Sequence, residues 1–179
     1  MKLACAIEVA LACIGWTRLC PAAESLARDA AELALTRGTA TLGLTWQGPV
    51  ELGIVLADAT EQRRLNRDYR GHDAPTNVLA FPAWERGARL PAGAPVLLGD
   101  VVLALETLVQ EAAVQNKPLA DHLRHLTVHG VLHLLGFDHQ TRAEAASMEA
   151  LERSILAELG VPDPYRDTMS SIEPAAIQP

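Results

Sequence analysis

One stretch near the C-terminal end constrains everything the rest of the chain can do. From Pro118 to Leu135 the sequence reads as a single helix, with Pro118 in its first turn and Gly136 closing it. Leu123, Leu126, Val128, Val131, Leu132, Leu134 and Leu135 cover nearly its whole circumference. A helix that is apolar all round is a buried helix, so other elements must wrap it. Yet this helix and the turn after it carry five histidines: His122, His125, His129, His133 and His139. Buried imidazoles are costly unless each nitrogen finds a partner, and a metal ion supplies one.

Residues four apart share a helix face, so His125, His129 and His133 form a row. All three cannot hold one ion, because residues eight apart on a straight helix are ~12 Å apart, whereas zinc–nitrogen bonds are ~2.0–2.1 Å. The helix offers one adjacent pair and the third ligand must return from elsewhere. Gly136 permits a left-handed turn that folds the chain back beside His133. The spacing therefore selects His129, His133 and His139 as ligands of one divalent ion, zinc by preference. His125 is left to orient a ligand from behind or simply to pack. Three neutral imidazoles leave a fourth position open, the layout of a catalytic rather than a structural zinc and one suited to hydrolysis. A zinc peptidase would place a glutamate directly after the first ligand. Here that residue is Gly130, which cannot take a proton, so peptide hydrolysis of that kind is disfavoured.

The remaining elements suggest what wraps the helix. Leu3, Cys5, Ile7, Val9 and Leu11 alternate as in a half-buried strand. That period, and Glu8 within it, favour a strand over a signal peptide. Pro21–Arg37 reads as a helix stopped by Gly38. Leu42–Trp46 and Val50–Ala57 read as a hairpin turning at Gln47-Gly48-Pro49. Asp58 caps a helix to about Tyr69, Asn77–Phe81 is a strand, and 82–95 is a proline- and glycine-containing loop. A strand over Val101–Leu105, a helix over Glu106–Asn116 and a last helix from Thr141 to Leu159 complete the order. The expected fold is α+β: a small mixed sheet packed with about five helices in a single domain spanning 1–166, with a disordered tail over 167–179.

Composition narrows the function. The net charge is −7, which argues against a non-specific nucleic-acid binder. Residues 61–89, however, hold six arginines against four acids, a local excess of two positive charges on an acidic body. The three cysteines, Cys5, Cys13 and Cys20, form no CxxC pair and fit neither a disulfide framework nor a thiolate metal site. No run approaches the ~20 apolar residues of a membrane span.

Two segments carry a resemblance. His129-Gly130-Val131-Leu132-His133-Leu134-Leu135-Gly136-Phe137-Asp138-His139 resembles the signature of the bacterial YbeY family of endoribonucleases that mature ribosomal RNA. The run from Leu65 to Pro82, with Asn66, Arg70-Gly71-His72-Asp73 and Pro75-Thr76-Asn77 inside it, is similar to that family's second motif, and Leu98-Gly99-Asp100-Val101 and Gly160–Tyr165 also fit. The likeness covers residues 50–166. It implies a cytoplasmic protein with one zinc ion per chain, held by His129, His133 and His139. It implies cleavage of single-stranded RNA, maturation of the 3′ end of small-subunit ribosomal RNA, ribosome quality control, and the ribosome and its assembly factors as partners. It assigns a catalytic role to Arg70, whose guanidinium fork suits a phosphate. His72 stands where some members have lysine. No general base is evident; Asp138 and Asp100 are the candidates. The alternatives are a non-catalytic ribosome-assembly factor with a structural metal, and another metal-dependent hydrolase.

Overall fold

A computed structural model describes residues 4–166; the expected tail over 167–179 lies outside them. Ten elements follow in order: β1 (Cys5–Leu11), α1 (Gly15–Leu19), α2 (Ala23–Leu42), β2 (Val50–Ala57), α3 (Ala59–Arg70), β3 (Val78–Pro82), β4 (Val96–Ala104), α4 (Leu105–Val114), α5 (Leu119–Leu134) and α6 (Arg142–Glu158). This is the expected α+β arrangement, a mixed sheet with helices.

The strands form one sheet in the order β1-β2-β4-β3. β1, β2 and β4 run parallel, and β3 runs antiparallel to β4 at one edge. Parallel neighbours need a crossover, which α1 and α2 supply between β1 and β2. The alternation read in β1 holds from Cys5 to Ala10: Cys5, Ile7 and Val9 pack on the core while Ala6, Glu8 and Ala10 face outward, but Leu11 is exposed and Leu3 lies outside the described residues.

The expected hairpin is overturned. Leu42 belongs to α2, residues 44–49 form no strand, and β2 pairs with β1 and β4 instead. Gly38, expected to stop the preceding helix, does not. Gly38 lies inside α2, which ends only at Gly43 in the left-handed conformation (φ 62°). Its role is close approach: a Cβ there would stand 2.4 Å from Leu135 Cδ1 and 3.0 Å from Leu132 Cδ2. Bare backbone at Gly38 lets α2 lie flush against α5.

α5 is the centre of the domain, packing against α2, α4, α6, β3 and β4. Leu123, Val128, Val131, Leu132 and Leu135 are fully buried. Gly130 makes its contact with the sheet possible, since a Cβ there would meet Val101 Cγ1 at 2.6 Å. Other terminators and caps read from sequence hold. Gly136 is left-handed (φ 90°), Asp58 Oδ1 accepts from the Glu61 amide at 2.8 Å, and Thr141 with Glu144 forms a capping box on α6.

Candidate metal centre

α5 ends at Leu134, and the left-handed Gly136 turns the chain back, so that Phe137 N donates to Leu132 O at 3.0 Å. The return brings His139 against the helical pair. One ligand atom from each of His129, His133 and His139 lies within 4.8 Å of the others. His129 Nε2 and His133 Nε2 face each other across 3.0 Å. Two ligands of a tetrahedral zinc at ~2.0 Å sit ~3.3 Å apart, so the pair is already near metal-binding separation. Burial, with His129 and His139 alongside, holds His133 down to about 4. It therefore stays neutral near pH 7, the form that offers a lone pair to a cation. His139 is exposed while the other two are half-buried, so the cluster is open on one side.

Behind the histidines lies Glu152 of α6, fully buried. Its Oε1 accepts from His129 Nδ1 at 2.7 Å. Its Oε2 accepts from the Tyr165 hydroxyl and lies 3.5 Å from His125 Nε2. Burial alone would raise this carboxyl, but hydrogen bonds from His125, His129 and Tyr165 outweigh it and pull it down to about 2. An ionised carboxylate only accepts, so His129 carries its proton on Nδ1 and turns the Nε2 lone pair toward His133.

In front lies a cleft whose walls include Arg70, Asn77, Val78, Ala80, His129, His133, Asp138 and His139. The polar residues of α3 set its far wall. Asn66 Nδ2 donates to Ala74 O at 2.7 Å. Gln62 takes the Thr76 amide at 2.8 Å and donates to Asn77 O and Val102 O, each at 3.2 Å. These bonds pin the loop from Gly71 to Asn77 against the sheet. Gly71, left-handed at φ 72°, ends α3 directly after Arg70. Arg70 reaches the outer edge of β3, where its Nη2 donates to Ala80 O at 2.8 Å.

The comparisons with known proteins fit this centre. The family Endoribonuclease YbeY matches residues 22–160 of the chain. The chain belongs to that family. A protein named Endoribonuclease YbeY from Paramagnetospirillum magneticum is 51% identical over 166 residues, covering 92% of this chain and 98% of the relative. One of the same name from Rhodospirillum rubrum is 49% identical, covering 85% of this chain and 77% of the relative. The solution structure of TM1509 from Thermotoga maritima shares the fold at a TM-score of 0.51 and 22% identity, over 97% of this chain and all of that one.

Within this YbeY-family chain, the structure brings together four of the residues singled out from sequence: His129, His133, His139 and Arg70. Asp138 joins them in the cleft wall, with its Oδ1 accepting from the His139 amide at 2.8 Å. Asp100 does not. Its neighbour Val101 faces α5, so the alternation of β4 sends Asp100 to the opposite face, over Gly53. It is thereby removed as a candidate base. His72 is exposed in the pinned loop.

The basic segment is less basic than its composition. Arg63 pairs with Asp73 at 2.8 Å, Arg64 with Glu61 at 2.6 Å and Arg67 with Asp68 at 3.0 Å. Arg70, by contrast, makes no ion pair among the described residues, although Asp68 and Asp73 are close to it in sequence.

Glu152 and Tyr165 are not among the site residues expected from the sequence. A signal was present for Glu152: Met148, Glu152, Ile155 and Leu156 are the buried stripe of α6, and a glutamate on an apolar stripe calls for a buried partner. No helix among the described residues is long and apolar enough to cross a membrane.

Proposed function

We propose that this chain is a metal-dependent endoribonuclease that cuts single-stranded RNA at the cleft between α5 and β3. The observation that carries the reading is the convergence of three imidazoles, and of an arginine with no ion pair among the described residues, on one open cleft in a chain of the Endoribonuclease YbeY family.

His129, His133 and His139 would hold one divalent ion, zinc in this reading, since three imidazoles with an open fourth side suit it. Bound there, the ion supplies charge to polarise a phosphoryl oxygen. The remaining work belongs to the chain. Arg70 presents guanidinium N–H groups to the phosphate and stabilises the negative charge that develops on it. Its bond to Ala80 O fixes the guanidinium in place before substrate arrives. Glu152 holds His129 in one tautomer and orientation. Asp138, at the mouth of the cleft, is placed to take or orient a proton. Gly130 keeps the floor of the cleft flat against Val101 and offers no carboxylate in the position a peptidase base would occupy.

The substrate in the cell, on this reading, is the 3′ end of the small-subunit ribosomal RNA precursor. The protein works in the cytoplasm, on or beside the ribosome and its assembly factors, in maturation and in quality control. The test is cleavage of a labelled single-stranded RNA and its matched duplex, after chelation and again after zinc is restored. Zinc-dependent cleavage of the single strand alone is the expected result. RNA binding without cleavage in any metal would favour an assembly factor with a structural ion.

A further inference from the structure

Aromatic residues make up only 4% of this chain, and nearly all are engaged in packing. Trp16 and Trp84 are buried, Trp46 stacks edge-on against Trp84, Phe137 packs on the core, and Tyr165 is bonded to Glu152. Tyr69 is the exception, with 72% of its surface in water. It is also the residue immediately before Arg70.

Its placement is specific. Tyr69 meets the ring of Phe81 at 5.6 Å between centroids, at an angle of 65°. The Arg70 guanidinium carbon lies 5.8 Å from the centre of the same Phe81 ring. Phe81 follows Ala80, whose carbonyl receives Arg70. Phe81 alternates with Ala80, so the two rings lie on the face of the sheet turned away from the histidines, and the Arg70 guanidinium stands at the outer edge of β3 between them and the cleft. An exposed tyrosine there gains little from folding, because most of its ring is left in water.

We propose that Tyr69, backed by Phe81, is a stacking ledge for one nucleobase of the RNA whose phosphate Arg70 contacts. The inference rests on the nuclease reading above and names how that site selects its substrate. In a nucleotide the base is joined to the phosphate through one sugar, so a phosphate held by Arg70 carries its base to the adjoining rings. Stacking on an aromatic face needs an unstacked base, which single strands offer and a duplex does not. The charges point the same way. With Arg63, Arg64 and Arg67 occupied by acids and a net charge of −7, phosphate attraction alone is weak, and stacking supplies what it lacks.

The test is a cycle of protein and RNA changes, read as binding of zinc-loaded full-length protein to a short labelled single strand. Tyr69→Ala should weaken binding roughly 5- to 150-fold, the effect of losing one stacked base. Tyr69→Phe and Tyr69→Trp should stay within about threefold, since the ring face does the work. A series of RNAs, each with one abasic position, then locates the partner. At a single position, removing the base should erase the difference between wild type and Tyr69→Ala. If Tyr69→Ala binds like wild type, the ledge does not exist. If its defect persists at every abasic position, Tyr69 acts through the shape of the cleft and the stacking claim is wrong. A wild type that binds no single-stranded RNA would overturn the nuclease reading, and the ledge with it.

Discussion

The carboxylate of Glu152 and the imidazole of His129 are joined by a 2.7 Å hydrogen bond across the interface of α6 and α5, with Glu152 wholly excluded from water. That bond commits His129 Nδ1 to donating and leaves Nε2 to face His133 at 3.0 Å. Two ring nitrogens at that distance need a proton or a cation between them, and with no ion bound His133 Nε2–H can donate to His129 Nε2. The interior of the protein thus prepares the cleft for positive charge.

Glu152→Gln preserves shape but removes the ionised acceptor. Zinc affinity should fall roughly 10- to 100-fold, the usual cost of losing a carboxylate behind a metal-binding histidine. Competition titration with a chromophoric chelator measures it, and nitrogen NMR of the imidazoles should show His129 losing its single tautomer. Unchanged affinity would mean that Glu152 serves only the packing of α6.

Arg70 separates charge from geometry. Arg70→Lys keeps the positive charge but not the fork, and should cost at least about tenfold in kcat/KM for RNA cleavage. Arg70→Ala should cost on the order of a hundredfold. Neither should alter zinc content, because Arg70 lies across the cleft from the histidines. If Arg70→Lys retains full activity, the bidentate role is wrong.

Gly130 is a packing residue beneath a reactive surface. Gly130→Ala must push Val101 aside, at a cost of about 1–3 kcal/mol, or a fall of roughly 3–10 °C in Tm for a domain of this size. A thermal melt of the metal-free protein reads this directly. A Tm equal to that of wild type would show that the sheet yields without strain.

Acid should weaken the metal-free fold in two overlapping stages. His133 is depressed from 6.5 to about 4, so the unfolded chain takes up its proton first as pH falls. The stability this histidine contributes is complete above about pH 6.5 and is lost between there and about 4. Glu152 is lowered from 4.5 to about 2. Its contribution is complete above about pH 4.5 and is lost as pH falls toward 2. Denaturant midpoints from pH 7.5 to 3 should therefore decline monotonically, with the fall beginning near 6.5. The variant His133→Asn should make the fall shallower, with His122, also lowered by burial, sustaining the remainder.

The signals that could be read from the sequence were local ones. Pro118, Gly136, Asp58 and Thr141 each act through bonds to their own helix ends, so α3, α5 and α6 were legible within a residue or two. The return of His139 to the His129/His133 pair was legible for the same reason, since one left-handed glycine and four-residue spacing determine it. Gly38 was not, because its glycine answers to Leu132 and Leu135 nearly a hundred residues away. A stop at Gly38 would free Leu42–Trp46 for a hairpin that the structure lacks. The pairing of β2 with β1 and β4 is likewise a long-range outcome. Glu152 sat in plain view on an apolar stripe, but its partner His129 is on another helix. Asp100 looked like a site residue by motif alone; only the register of β4 sends it to the far face.

His129, His133 and His139 are proposed to hold a metal on which RNA cleavage depends. The direct measurement is cleavage of a labelled 3′ precursor of small-subunit ribosomal RNA by wild type and His133→Ala, purified identically, with metal content determined on both. About one metal per chain and cleavage by wild type, with neither in the variant, is the predicted result. Equal cleavage by both proteins would contradict the account and assign the activity to something other than this cluster.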